Sequence, residues 1–411
     1  MHILYLHQFF ATRDSSHPTR SYEFARRMVS AGHEVTMLTG NSRLGALHDD
    51  GLVRHFVVDG ISVRSVRNRY SNAMGHARRI VSFAVFAVTS TIEAARVRRP
   101  DIVFATSTPL TIGVPGWIAA KVRRVPFVFE VRDPWPEAAF QMGALQRGSA
   151  LGRLALWLER FLYREADAIV GLSPGMIECI LAAGADPGKT HMIPNCSDLD
   201  LFHPGPKDPG TVERYGLRDL FVVGYTGAVG PTNAVHVIAD AAAILKERGR
   251  DDIAVLVAGD GKCLAGIRTD AQARGLDNLR LIGPLPKTVM PDLLRTCDVL
   301  LGHLAKVPVL YTGSPNKLFD ALASGRPVIV NSPGWTRPLV EESGAGLFVD
   351  PEDAVALVDA IIGIADDPQR ADRMGKAARA VAERDFSRDE QADRLIALLQ
   401  SVRDARTSQG D

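Results

Sequence analysis

Thr312-Gly313-Ser314-Pro315-Asn316-Lys317-Leu318-Phe319-Asp320-Ala321-Leu322-Ala323-Ser324-Gly325-Arg326-Pro327-Val328-Ile329-Val330 holds a small polar loop, a helix, its stop and a strand in one stretch. Pro315 stands at the start of the helical run, where a missing N–H costs nothing, and Ser314 is placed to cap it. Gly325 ends the helix, and Pro327 leads straight into a buried strand. A helix that opens from such a loop presents free N–H groups and the positive end of its dipole, which together favour an anion. Lys317 adds a full charge beside them. A surface lysine on a well-capped helix would look the same if taken alone; the whole segment favours a diphosphate cradle, with Asp320 three residues on to accept from ribose hydroxyls.

Outward from this segment, short β-branched runs alternate with amphipathic ones, the mark of parallel sheets wrapped in helices. Strands are expected at Ile3–Leu6, Glu34–Leu38, Ile61–Val66, Ile102–Ala105, Phe127–Val131 and Ala168–Leu172. The rhythm restarts at Phe221–Tyr225, Ile253–Ala258, Leu279–Ile282, Val299–Leu301, Val328–Val330 and Gly346–Val349. A helix over Arg20–Ala31, with Tyr22, Ala25, Met28 and Val29 on one face, is stopped by Gly32. The pattern predicts an α/β protein of two Rossmann-like, doubly wound parallel-sheet domains facing across a cleft. The turn formers of His203–Gly210 suggest the division: residues 1–202, a linker over 203–215, a second domain over 216–386, and a terminal helix and tail over 387–411. That helix is expected to cross back to the first domain.

Composition narrows the partners. Lys+Arg 48 against Asp+Glu 47 gives a net charge of +1, so no global field favours nucleic acid. The four cysteines form no C-x-x-C pair, which fits a reduced, cytoplasmic chain. No apolar run reaches the roughly 18 residues a membrane span needs. No G-x-G-x-x-G follows a strand, which argues against a dinucleotide-binding dehydrogenase.

The opening segment resembles the signature of glycosyltransferase family 4, retaining enzymes of GT-B fold. Asp320 takes the position of the second of that family's two glutamates, and Thr312 that of the first. Phe129-Glu130-Val131-Arg132-Asp133-Pro134-Trp135-Pro136-Glu137 is the most distinctive further match and resembles an Arg-Asp-Leu-Trp-Pro element of a bacterial surface-polysaccharide subfamily, the N-acetyl-fucosamine transferases. Gly32–Thr36, Ala166–Val170, Ile193–Cys196, Gly224–Gly227 and Gly259–Gly261 agree in order and spacing.

The resemblance implies a retaining transfer of a sugar, an N-acetylated or deoxy hexose, from a nucleotide diphosphate sugar, UDP-linked in that subfamily. The acceptor would be a hydroxyl of a glycan, a lipid-linked glycan or a small molecule. It implies Lys317, Ser314, Asn316, Gly227 and Asn233 around the diphosphate, and Asp320, Thr312 and Gly313 at ribose and sugar. Gly283, Leu285 and Pro286 would line the nucleobase loop. Asp133 is expected to orient or deprotonate the acceptor, with Arg132 meeting phosphate charge; a local ion pair fixing the turn is the alternative. The family's glycine-rich loop after the first strand is replaced by a loop carrying Ser16, His17, Thr19 and Arg20, and His17 by itself reads as a solvated side chain. Ala228 and Asn233 stand where many relatives hold the diphosphate with arginine and lysine, which leaves Lys317 with Arg132 or Arg20 to supply positive charge. No metal and no cofactor are expected.

Arg64, Arg67, Arg69, Arg78, Arg79, Arg96, Arg98 and Arg99 flank the apolar run Ile80–Val88. Such a segment suits peripheral contact with an anionic membrane at the inner face, with Leu154–Tyr163 as a contributor or as plain core. Two other readings stay open: a nucleotide-sugar epimerase of the same fold, and a degenerate member that binds nucleotide or glycan without turnover.

Overall fold

The computed structural model describes residues 1–44, 51–70 and 74–408; residues 409–411 of the expected tail lie outside the described residues. The chain divides into two compact units, Met1–Pro194 with Asp389–Asp411, and Asn195–Arg388.

The first unit is built on β1 (His2–Leu6), β2 (Glu34–Gly40), β3 (Val53–Val58), β4 (Ile61–Val66), β5 (Ile102–Thr106), β6 (Phe127–Val131), β7 (Ala168–Gly171) and β8 (Thr190–Met192), in the order β3-β4-β2-β1-β5-β6-β7-β8. All neighbours are parallel except β3 and β4. β5 and β6 are buried along their whole length, as strands covered on both faces must be. The helix Arg20–Ser30 runs as its apolar spacing predicts, with Tyr22, Ala25 and Met28 buried and Gly32 beyond its end at φ +81°.

Sequence reading missed two strands here. β3 is an edge strand with alternating exposure, joined to β4 by Asp59 and Gly60, both at positive φ, the two-residue turn that suits a hairpin. That Asp-Gly pair was the available signal. β8 is three residues long and leaves no periodicity to read.

The second unit holds β9 (Phe221–Thr226), β10 (Ile253–Ala258), β11 (Leu279–Gly283), β12 (Val299–Gly302), β13 (Val328–Val330) and β14 (Gly346–Phe348) in the order β11-β10-β9-β12-β13-β14, all parallel. Order reverses beside β9, and ligands of open parallel sheets bind outside the strand C-termini at such a point. Val223, Val255, Val257, Leu301 and Ile329 anchor its core.

The stretch expected as a linker is part of this unit. Asp208 caps a helix over Pro209–Tyr215, its Oδ2 accepting from Thr211 N at 2.7 Å. An Asp-Pro pair at N-cap and N1 starts a helix as readily as it makes a turn, and the crowding of prolines and glycines hid it. The helix Arg388–Ser408 returns the chain to the first unit, where Asp389 pairs with Arg27 at 2.5 Å and Arg406 with Asp167 at 3.4 Å.

Candidate active site

In the second unit the loops that follow the central strands are tied edge to edge by backbone bonds. Gly227 N donates to Ala258 O at 2.9 Å, and Gly259 N to Gly283 O at 2.8 Å. Lys317 comes from the helix Asn316–Ala323, whose start has no side-chain cap. Pro315 sits at the N-cap position, one residue earlier than its sequence place suggests. Ser314 does not cap the helix; its hydroxyl accepts from Asn195 N at 3.3 Å, and its carbonyl from Asn195 Nδ2 at 2.5 Å. Leu318 N is held by Pro315 O at 3.0 Å, and no side chain caps the N–H groups of Asn316 and Lys317 before it.

The Lys317 ammonium donates to the Tyr225 hydroxyl at 2.7 Å and lies 3.9 Å from the centre of the same ring. Tyr225 in turn donates to Ala228 O at 2.7 Å. Lys317 is half-buried with its ammonium against the phenol, and burial lowers the amine to about 7. Among the described residues no carboxylate pairs with Lys317. A Cβ at Gly227, which has φ +129°, would stand 3.2 and 3.3 Å from Lys317 Cε and Nζ, so a side chain there would crowd the ammonium.

The neighbouring groups are more fully engaged. Asp320 is buried, pairs with Lys287 Nζ at 2.5 Å and accepts from Ser197 Oγ at 2.8 Å. Lys287 follows Pro286 directly and lies 4.5 Å from the centre of the Phe202 ring. Asn233 is buried; its side chain accepts from Thr232 Oγ1 at 3.2 Å, and its carbonyl faces His303 Nδ1 at 3.2 Å. Burial, with Lys317 nearby, lowers His303 to about 4 against that bond. Thr312 donates to Val309 O at 2.8 Å, and Gly313 O accepts from Trp335 Nε1 at 2.7 Å. Gly283 ends β11, with Leu285 and Pro286 half-buried in the loop beyond.

In the first unit Arg20 is 2 % exposed, and its guanidinium is committed. It bonds Glu130 Oε1 at 2.8 Å, Pro194 O at 2.7 Å and Ile193 O at 2.9 Å. Glu130 also accepts from Thr106. Burial acts to raise Glu130, but Arg20, Arg132 and its hydrogen bonds outweigh that and lower it. Arg20 is therefore corrected from a candidate phosphate contact to half of a buried ion pair.

The loop before Arg20 gives little to an anion. Ser16 is exposed, Thr19 is buried without capping the helix it precedes, and the first helical turn already carries the buried Glu23, paired with Arg13 at 2.5 Å. His17 is half-buried rather than solvated: its Nε2 meets Arg43 Nη1 at 2.6 Å. Burial and Arg43 lower it to about 4.

Arg132 and Asp133 follow β6 at the strand edge. Arg132 N donates to Ser107 Oγ at 3.0 Å, and its Nη1 lies 3.2 Å from His7 Nε2. Because arginine only donates, that nitrogen accepts, and His7 Nδ1 carries the proton it gives Ser21 Oγ at 2.6 Å. Burial, then Arg132, holds His7 well below its ordinary value, as a neutral acceptor requires. Asp133 is exposed and accepts from Thr108 Oγ1; it does not pair with Arg132. His7, Tyr225, Lys287 and Ser197 were not singled out from sequence. Tyr225 and Lys287 sit inside or beside quoted motifs, whereas nothing local marked His7 or Ser197.

Residues 18–196 match the model of the glycosyl transferase 4-like domain, and residues 214–381 that of glycosyl transferases group 1. The α-D-kanosaminyltransferase of Streptomyces kanamyceticus is 26% identical over 61% of this chain, which spans 64% of that protein's length. A UDP-Gal:α-D-GlcNAc-diphosphoundecaprenol α-1,3-galactosyltransferase of Escherichia coli is 27% identical over 65% of this chain and 67% of its own. Anabaena HepE, solved with UDP and glucose, superposes with a TM-score of 0.71 at 21% identity, covering 97% of this chain and 99% of its own. Two α/β units on mainly parallel sheets and these matches place the chain in one class. It belongs to the glycosyltransferases of GT-B fold, with a family 4-like first half and a group 1 second half.

Proposed function

We propose that this transferase takes a sugar, an N-acetylated or deoxy hexose, from a UDP-linked donor and passes it with retention to a hydroxyl of a lipid-linked glycan. The observation that carries the donor half is Lys317: a buried ammonium with no carboxylate among the described residues to neutralise it, at an uncapped helix start beside Gly227. The HepE structures, with UDP and with UDP-glucose, support the choice of base, and the Escherichia coli relative supports a lipid-linked acceptor. The bond from the anomeric carbon to the leaving phosphate breaks while the acceptor oxygen attaches on the same face. Asp133, or the departing phosphate, takes the acceptor proton. Lys317 and the helix N–H groups stabilise the charge left on UDP, and the scheme uses no metal.

The test is thermal stabilisation by UDP, GDP, ADP and TDP, on the native chain and on Lys317→Ala. Ligand at a hundred times its Kd adds about 2.7 kcal/mol, a shift of several degrees. Stabilisation by UDP that disappears in the variant supports the reading; stabilisation by none of the four overturns it. With donor in hand, Asp133→Asn should lower kcat about 100-fold or more while UDP binding is kept. A native rate would remove Asp133 from the chemistry, and conversion of donor without acceptor would point to an epimerase.

The same reading places the first unit at an anionic bilayer. Helix His76–Arg96 exposes Val81, Val85, Val88 and Ile92 along one stripe, and helix Ala150–Glu165 exposes Leu154 and Trp157, the latter 58 % exposed. Arg78, Arg98 and Arg99 are exposed nearby in sequence, although Arg64 and Arg96 are partly spent on the buried Glu93. Among the described residues no helix is long and apolar enough to cross a membrane. Val85→Asp with Val88→Asp should abolish co-flotation with phosphatidylglycerol vesicles. Equal flotation of variant and native chain would end the membrane reading.

A further inference from the structure

Strand order in the first sheet reverses beside β1, which has β2 on one side and β5 on the other. Ligands of open parallel sheets bind outside the strand ends at such a point. His7, Ser107 and Arg132 follow directly on β1, β5 and β6 there. His7 is buried, yet the transfer chemistry does not call on its ring. Its partners fix its form: Nδ1 lies 2.6 Å from Ser21 Oγ, and Nε2 lies 3.2 Å from Arg132 Nη1. Arginine has no lone pair to offer, so Nε2 accepts and the one ring proton stays on Nδ1. Burial and, after it, Arg132 hold the imidazole well below its ordinary pKa, which keeps the Nε2 lone pair free of a proton.

Arg132 keeps its charge in this arrangement. Ser107 Oγ accepts from its backbone N–H at 3.0 Å and His7 holds Nη1, so the residue is fixed at both ends. Among the described residues no carboxylate pairs with its guanidinium, and its other guanidinium nitrogens are neither partnered nor sealed from solvent. A carboxylate in place of His7 would grip the guanidinium but cancel it, as Glu130 does for Arg20 in the same unit. A neutral imidazole orients the fork and leaves its charge and outer N–H groups for an anion. The planar, forked donor set of arginine suits a phosphate. The transfer reading supplies that chemistry from two sources: the diphosphate of the donor, and the phosphate that joins a glycan to its lipid.

We propose that His7 is a positioning residue, which holds Arg132 to meet a substrate phosphate without neutralising it. The inference rests on the transferase reading but is tested apart from it. Calorimetric titrations with UDP and with farnesyl diphosphate separate the two sources. Arg132→Ala should weaken one of these ligands about tenfold or more; a loss with UDP assigns the donor, and a loss with farnesyl diphosphate the lipid side. His7→Asn reaches only as far as Nδ1 and releases Arg132, so it should weaken the same ligand about tenfold. His7→Gln carries Oε1 to where Nε2 stood and should restore most of that loss. Added to Arg132→Ala, His7→Asn should change nothing further, because its effect passes through the arginine. A measurement on the native chain serves if the buried variants do not fold: the ring nitrogens of labelled His7 should show the Nδ1–H tautomer at neutral pH. Equal effects of Asn and Gln, a full effect of His7→Asn without Arg132, an Nε2–H tautomer or an imidazolium each overturn the proposal. So does Arg132→Ala that binds both ligands as the native chain does. Failure of UDP alone to bind the native chain sinks the transferase reading and leaves farnesyl diphosphate to test this pair; binding of neither ligand overturns both.

Discussion

Arg20 and Lys317 each stand at the start of a helix, one in each unit, yet their surroundings differ in kind. Arg20 meets Glu130 and two backbone carbonyls, so its charge is cancelled inside the protein. Lys317 meets a phenol, which orients an ammonium without neutralising it. A buried cation with its own carboxylate is architecture. One facing only dipoles has its charge in reserve for a ligand, at a cost in stability that appears as a lowered pKa.

The largest effect that probes this contrast is expected at Glu130. Glu130→Ala strands the Arg20 guanidinium and should cost about 3–5 kcal/mol of stability, read by denaturant unfolding, with UDP affinity unaltered. A small loss together with weaker UDP binding would return Arg20 to the phosphate site. Next in size, Lys317→Met should weaken UDP binding by about 1.5–3 kcal/mol, measured by calorimetry. The same variant should be no less stable at neutral pH, because it removes a desolvated ammonium that has no counter-charge. A clear loss of stability would make the two cations alike.

The smallest effect is a pH slope. Folded Lys317 titrates near 7, against about 10.4 in an unfolded chain. Between those values the unfolded state holds the extra proton, so this group's contribution to stability is lowest below pH 7 and rises toward pH 10. Diphosphate binding needs the protonated amine. UDP affinity should therefore fall by up to about tenfold per pH unit above 7, and Lys317→Met should flatten that slope. A flat native profile would mean that the lysine is already fully charged.

The same contrast explains what sequence could reveal. Lys317 lay in a segment whose loop, helix and strand are contiguous, so its position followed from local rules. The partner of Arg20 is 110 positions away, and its burial depends on β6 arriving beside β5, one strand from β1, which no local pattern encodes. Arg20 looked like a free cation for that reason. Most strands were legible because parallel strands covered on both faces are continuous apolar runs. β3 was missed because an edge strand alternates weakly, and the 203–215 segment was misread because turn formers and helix caps are the same residues.

The return of helix Arg388–Ser408 sets an order on how the protein is made. The second unit is continuous from Asn195 to Arg388 and can close as soon as its own residues have emerged from the ribosome. The first unit, although translated earlier, lacks Leu395 and Leu399, both fully buried in the folded protein, until the whole of the second unit has been made. The second unit can thus close before the terminal helix seals the first, and until then the early half carries exposed apolar surface of the kind that invites chaperones or aggregation.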